Sequence, residues 1–257
     1  MVTCNLVGRM ANQMFTIAAT VAYALRHGME YHIPAHTLNN QVWKPIFTNL
    51  ENKNYDPSLT TTIIREKTHA YQEIPFMEEY RNMNVIIDGY RQSAKYFEDY
   101  IDEVRKVFGF SYSSAVSDDA VCLHVRLGDY RNYSDKHPII TDKYIKNALL
   151  LFQNMGYKRC LVFSDEISWC IENINEAKYP KFSFRYAVGD TEVEDFQRML
   201  LHCNAYIISA STYSLMASIL STSPAKVVVA PYEWFGKGNS HLDTKDICPD
   251  DYLRLKF

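Results

Sequence analysis

The residues best placed to do chemistry lie in the run His124-Val125-Arg126-Leu127-Gly128-Asp129-Tyr130, directly behind the apolar stretch Val121-Cys122-Leu123. A buried strand that ends in a cation and a turn presents that cation where open α/β sheets bind their ligands, at the carboxyl end of the strands. Two more clusters have the same placement. The strand-like stretch 159–164 (RCLVFS) runs into Ser164-Asp165-Glu166. The stretch 205–209 (AYIIS) runs into Ser209-Ala210-Ser211-Thr212-Tyr213-Ser214, ahead of a helix-forming segment. In a parallel sheet these ends share one edge, so clusters far apart in sequence converge.

A hydroxyl-rich turn before a helix combines Ser and Thr oxygens with unpaired backbone N–H groups, and that combination binds phosphate. Arg126 adds a planar fork of donors that can take two oxygens of one phosphate. A carboxylate in such a site repels phosphate, so Asp165 and Asp195 read as acceptors for a base or a ribose. Together the groups fit a nucleoside diphosphate. Each also has an ordinary structural explanation: the 211–214 turn as an N-cap, Asp165 as a turn residue, His124 as a core histidine, Arg126 bridged to Asp129. Those explanations leave open why every strand end is polar in the same direction.

The elements that position these groups follow from periodicity. Strand-like runs at 120–126, 159–164, 205–209 and 226–230 (KVVVA) are separated by amphipathic segments. Residues 143–155 place Ile145, Ala148, Leu149 and Phe152 on one face, with Thr141 as N-cap and Gly156 at the far end. Residues 195–203 do the same with Phe196, Met199, Leu200 and Cys203. Strands alternating with such helices predict a parallel α/β sheet. Upstream, TCNLVG, the Gly8-Arg9 turn and an apolar helix at 14–25, closed by Gly28, form a strand-turn-helix unit. A second strand is expected at 84–90 (NVIIDGY) and a helix at 95–107. Residues 34–80 read as irregular; their Trp43, Tyr55, His69 and Tyr71 suit either sugar stacking or local packing. Ser111 to Ser114, followed by Ser117-Asp118-Asp119, is the best linker, which predicts domains at 1–115 and 116–257.

Composition bounds the rest. The 257 residues are 47% hydrophobic, 22% charged and 14% aromatic, the profile of a soluble globular chain. A formal net charge of -3 gives no basic footprint for nucleic acid, so any anion site is local. The six cysteines form no C-x-x-C pair, and Cys122, Cys160 and Cys203 lie in apolar periodic segments, which predicts buried reduced thiols rather than disulfides or structural zinc. No apolar run approaches the roughly 20 residues of a spanning helix. G-x-x-x-x-G-K-[ST], H-E-x-x-H and G-x-S-x-G are absent, and GRMANQ at 8–13 lacks the G-x-G-x-x-G spacing.

The blocks resemble a known family. HVRLGDY at 124–130 is similar to the H-x-R-R-G-D-Y motif of the galactoside alpha-1,2-fucosyltransferases, shared more loosely with alpha-1,6 and protein O-fucosyltransferases. GRMANQMF at 8–15 resembles the family's G-x-x-G-N-Q-M-F opening, FSDEISWC at 163–170 its F-S-D-D-x-x-W-C, and ASTYSLMAS at 210–218 its N-S-T-F-S-W-W-A block. VVVAPYEWF at 227–235 and TKDICPDDYLRL at 244–255 resemble its closing motifs. Among the departures, Leu127 stands for the second arginine, Ala11 for a glycine, and Leu215-Met216 for paired tryptophans.

The resemblance implies an inverting, metal-independent glycosyltransferase of the GT-B type, with two Rossmann-like lobes facing across a cleft. Residues 1–115 would form the acceptor lobe and carry the Asn12/Gln13 loop; residues 116–257 would bind the donor, GDP-fucose. The acceptor would be the 2-hydroxyl of a terminal beta-galactoside, with no cofactor and no nucleic-acid partner. By position, His124 and Asp195 would lie near guanine and ribose, and Arg126 would reach the diphosphate. Ser211, Thr212 and Ser214 would complete the phosphate cradle, with Asp165 and Tyr213 among the donor-binding residues. Asn12, expected among the catalytic residues with Arg126 and Asp129, and Gln13 would close on the donor from the other lobe. Asp129 is the nearest motif carboxylate, as a base or, as expected here, as the group orienting Arg126. A cytoplasmic bacterial-type enzyme decorating a surface glycan precursor is expected, peripheral to the membrane if its acceptor is lipid-linked. The alternatives are another GDP-sugar donor or linkage, or a non-catalytic nucleotide- or sugar-binding relative.

Overall fold

Helix α1 (Met10–Arg26) is apolar on nearly every side, and it is buried along almost its whole length. It begins at Met10 rather than at residue 14, and the chain leaves it at Gly28 with φ +60°, where only glycine is unstrained. The computed structural model describes residues 1–34, 42–50, 53–110, 120–223 and 226–257. The chain divides into two compact units, one of residues 1–111 with 243–249, the other of 112–242 with 250–257.

In the first unit, β1 (Val2–Cys4), β2 (Thr61–Arg65) and β3 (Asn84–Asp88) form a parallel sheet in the order β1-β3-β2, in register Val2 to Val85 and Ile63 to Ile86. β2 falls within the stretch expected to be irregular. It is an edge strand, exposed or half-buried throughout, so no strong apolar alternation announces it. The helix expected at 95–107 is also corrected. Residues 94–96 and 98–100 are 3₁₀ turns, and only α2 (Ile101–Val107) is α-helical. Phe97, wholly buried and 6.0 Å from the Phe15 ring, takes a non-helical backbone to get there; packing overrides propensity. Three of the aromatic residues singled out in 34–80 pack locally: Tyr71 on Tyr96 at 4.9 Å, Tyr55 on His32 at 5.6 Å, His69 on Tyr90 at 6.2 Å.

The second unit carries β4 (Ala120–Val125), α3 (Asp142–Asn154), β5 (Arg159–Ser164), α4 (Ile167–Asn173), β6 (Ser183–Tyr186), α5 (Glu192–His202), β7 (Ala205–Ile207), α6 (Thr212–Leu220), β8 (Val227–Pro231) and β9 (Leu253–Leu255). All its strand pairs are parallel, in the order β6-β5-β4-β7-β8-β9. β4 is buried at every position, as a central strand covered on both faces must be. Val121, Leu123 and Val125 face a core built with Tyr144, Ile145, Ala148, Leu149 and Phe152 of α3, behind the Thr141 cap that accepts the Tyr144 N–H at 3.2 Å. β6 and β9, both at sheet edges, go unannounced in the sequence.

The linker expected at 111–119 lies outside the described residues. One exchange is absent from a division at 115: residues 243–249 pack with the first unit, where Asp246 accepts Lys95 Nζ at 2.7 Å and the Tyr71 N–H at 3.0 Å. All six cysteines are buried thiols. Among the described residues no helix is long and apolar enough to cross a membrane.

Candidate functional site

Counted from β4, the second sheet has the strand order 3-2-1-4-5-6 of doubly wound nucleotide-binding folds, so the chain leaves β4 towards one edge and β7 towards the other. Ligands bind outside the carboxyl ends at such a switch point. Here the two ends are tied together by Ser209, which follows β7: its Oγ donates to the His124 carbonyl at 2.7 Å and accepts the Arg126 N–H at 3.0 Å. Arg126 thus enters the site on a fixed backbone.

Its guanidinium is held from two sides. Nη1 lies 3.1 Å from Asp165 Oδ2, and Nη2 donates to Asp129 Oδ1 at 2.6 Å. Asp165 is also pinned, because its Oδ1 accepts the Leu127 N–H at 2.9 Å. Glycine is required at 128 for that approach: a Cβ there would meet Asp165 Oδ2 at 2.4 Å. Asp165, read from sequence as a partner for base or ribose, therefore has both oxygens engaged by Arg126 and the β4 turn. The Leu127 side chain is 2% exposed and part of the core, a burial worth roughly 1.5–3 kcal/mol. A second cation stands nearby, as Arg131 forks onto Glu166 at 3.3 and 3.0 Å.

The hydroxyl-rich turn is the N-terminus of α6. Ser211 is its cap, accepting the Tyr213 N–H at 3.4 Å, and Tyr130 OH donates to the Ala210 carbonyl at 3.0 Å. Thr212 is half-buried at the start of the helix. Ser214, counted among the phosphate-binding hydroxyls, is fully buried and faces the Ser211 carbonyl at 3.5 Å, so its Oγ lies inside the turn. Tyr213 OH donates to the Glu192 carbonyl of α5, which sets its ring 5.4 Å from that of His124.

His124 is 4% exposed, and burial, reinforced by the Arg126 charge, lowers its pKa to about 3, so the ring is neutral. It is an interior residue, but its Nδ1 has no hydrogen-bond partner among the described residues. Asp195, in the first turn of α5, shares that condition at Oδ1. Burial, with Asp190 and Glu194 nearby, raises its pKa to about 6 against the opposing pull of Arg198. Buried polar atoms are almost always paired, so two orphans in neighbouring elements suit a polar ligand.

Asn12 and Gln13 lie in the first unit, on the first turn of α1. Gly8, at φ +77°, brings the chain so close that a Cβ would meet Asn12 Nδ2 at 2.4 Å. Gln92 Nε2 donates to Asn12 Oδ1 at 3.0 Å, and Gln13 Nε2 donates to the Gly8 carbonyl at 3.0 Å. Gln13 is 7% exposed, with Oε1 unpartnered among the described residues.

The sequence singled out Arg126, Asp129 and Asp165, which the fold brings into one cluster. It missed the tie through Ser209 and the roles of Tyr130 and Gln92 as supports. Ser209 stood in the polar run after β7, so its place at a strand end was a usable signal; Gln92 had none. Among the described residues no group of three or more His, Cys, Asp or Glu is arranged to hold a metal.

The chain is 26% identical over 186 residues to an alpha-1,2-colitosyltransferase of Escherichia coli, covering 65% of this chain and 61% of that protein, under two thirds of its length. It is 27% identical over 243 residues to galactoside alpha-(1,2)-fucosyltransferase 2 of Hylobates lar, covering 85% of this chain and 68% of that one. In fold it is similar to a mutant of Arabidopsis thaliana FUT1 solved in complex with GDP, with a TM-score of 0.51 at 10% identity, over 86% of this chain and 68% of that one. The model of glycosyl transferase family 11 matches residues 1–247, and the chain belongs to that family.

Proposed function

We propose that this protein transfers L-fucose from GDP-fucose to the 2-hydroxyl of a terminal galactoside, with inversion at C1 and without a metal, in a GT-B-type architecture. The observation that carries the reading is Arg126, a cation fixed at the β4/β7 switch point by Ser209 and Asp165. Family membership and the named galactoside fucosyltransferase relative support the donor and the linkage.

The chemistry follows from charge. Breaking the bond from fucose C1 to the diphosphate leaves an oxocarbenium-like sugar and adds negative charge to the leaving oxygen. Arg126 stabilises that charge as it develops, and the first turn of α6 adds its N-terminal dipole. The two carboxylates beside Arg126 take different parts. Asp165, 24% exposed and pinned by the Leu127 N–H, keeps the guanidinium in place. Asp129, 54% exposed, orients the fork and yields to phosphate when the donor arrives. Asp195 accepts hydrogen bonds from the guanine or ribose, with His124 as a neutral neighbour.

A second reading is transfer of another GDP-activated deoxysugar, favoured by the likeness to a colitosyltransferase. The test is incubation with GDP-fucose or GDP-colitose and a beta-galactoside in the presence of EDTA, followed by linkage analysis. An alpha-1,2-fucoside made under EDTA is expected. Transfer from GDP-colitose alone favours the second reading, and tight GDP binding without any transfer marks a binding protein.

A further inference from the structure

The turn that follows Asp129 holds a histidine that neither the motif nor the donor reading uses. The His137 ring stacks on Tyr130 at 4.8 Å and 23°, and the Tyr130 ring also carries the Arg126 guanidinium at 5.5 Å. Phe235 meets the imidazole edge-on at 6.0 Å and 67°. The backbone is built to keep it there. His137 N donates to the Tyr133 carbonyl at 2.8 Å, Gly236 N to Lys136 O at 2.9 Å, and Gly238 N to Asp135 O at 2.7 Å. Gly236 approaches so closely that a Cβ would lie 2.4 Å from Asp135 O. Tyr130, beneath the imidazole, is itself tied to the α6 turn through Ala210.

We propose that His137 is the general base of the transfer, taking the proton of the acceptor hydroxyl. The inference rests on the glycosyl-transfer reading above. The acceptor oxygen bonds to C1, the bond from C1 to the diphosphate breaks with its electron pair passing to phosphate, and the hydroxyl proton moves to a ring nitrogen of His137, which later releases it to water. Of the other groups of this edge, His124 is sealed in the interior, Asp165 is held by Arg126 and the Leu127 N–H, and Asp129 serves Arg126 until phosphate takes its place. His137 is half-buried and reachable. Burial lowers its pKa, with Lys136 and Arg126 pulling the same way and Asp129 and Asp135 opposing, so it is neutral and able to accept at pH 7. Those two carboxylates then stabilise the imidazolium. The facing segment 235–240 adds Lys237 as its one charged residue.

The test compares wild type, His137→Gln and His137→Ala in the fucosyl-transfer assay across pH, with GDP affinity measured on each. The expected result is a loss of turnover of roughly 10²–10³-fold, within the range for a positioned base, with GDP affinity unchanged. Measured at saturating GDP-fucose, the acidic limb of the wild-type turnover profile, which lies below the ordinary histidine range, vanishes in His137→Gln, and added imidazole restores part of the rate in His137→Ala. A variant that keeps wild-type turnover and acidic limb overturns the proposal, as does a loss with an unchanged limb and no imidazole rescue. Absence of transfer by the wild-type protein overturns the glycosyl-transfer reading and this inference with it; normal wild-type transfer beside an unaffected variant overturns this inference alone.

Discussion

Arg126 and Asp165 form an ion pair of 3.1 Å across the carboxyl ends of β4 and β5, and the other oxygen of the same carboxylate accepts the Leu127 N–H at 2.9 Å. One carboxylate therefore fixes both the cation and the backbone that carries it. This explains how position 127 tolerates leucine: its contribution here comes from its N–H, while its side chain fills the core.

That arrangement depends on the missing side chain at 128. Gly128→Ala puts a methyl group where Asp165 Oδ2 lies and must displace the carboxylate. Misplacement of a catalytic group by about 1 Å costs on the order of 10²-fold, and a loss of that size in turnover is expected with the fold retained by circular dichroism. Wild-type turnover in Gly128→Ala would show that Asp165 does not hold Arg126 in its working position.

Asp195 carries a pH signature. Its pKa is raised to about 6, so the folded chain holds the proton more tightly than the unfolded one, and stability falls as pH rises from the ordinary carboxylate range to about 6. Asp195→Asn removes that penalty, so its Tm at pH 7 should exceed that of the wild type, with the difference closing near pH 4. In exchange GDP affinity should drop roughly 10- to 100-fold, the worth of a hydrogen bond to a charged group. Wild-type GDP binding should also weaken below pH 6. Binding that ignores both the substitution and pH removes Asp195 from the donor site.

His124 works in the opposite sense. With a folded pKa of about 3, it is neutral in the folded chain and protonates in the unfolded chain below about pH 6.5. Its contribution is whole above pH 6.5 and is lost as pH falls towards 3. Between pH 7 and pH 5 the loss is about 2 kcal/mol. Urea unfolding of wild type and His124→Phe at both pH values checks this: the wild type should lose that much more than the variant, and equal losses would mean that His124 is not sealed from water.

The central strands and their helices were legible because burial on one or both faces leaves a strong pattern. β5 matches the strand read at 159–164, and Thr141 caps α3 as its position suggests. The exposed edges were not legible: β2, β6 and β9 are short and half-exposed, so their alternation is faint, whereas the buried edge strand β1 was read. The same limit governs the site. That Arg126, Asp165 and Ser211 stand at neighbouring strand ends follows from a parallel sheet. Which carboxylate reaches Arg126 depends on a bare glycine at 128, and which hydroxyl faces inward depends on the turn at 211–214; residue types fix neither.

The most direct test of the leaving-group role is single-turnover cleavage of GDP-fucose in the presence of a beta-galactoside, comparing Arg126→Ala with wild type under EDTA. Loss of one preorganised donor to developing charge predicts a rate roughly 10²–10³-fold lower in the variant. A variant that releases GDP at nearly the wild-type rate would contradict the role of Arg126 as the cation that takes the leaving-group charge.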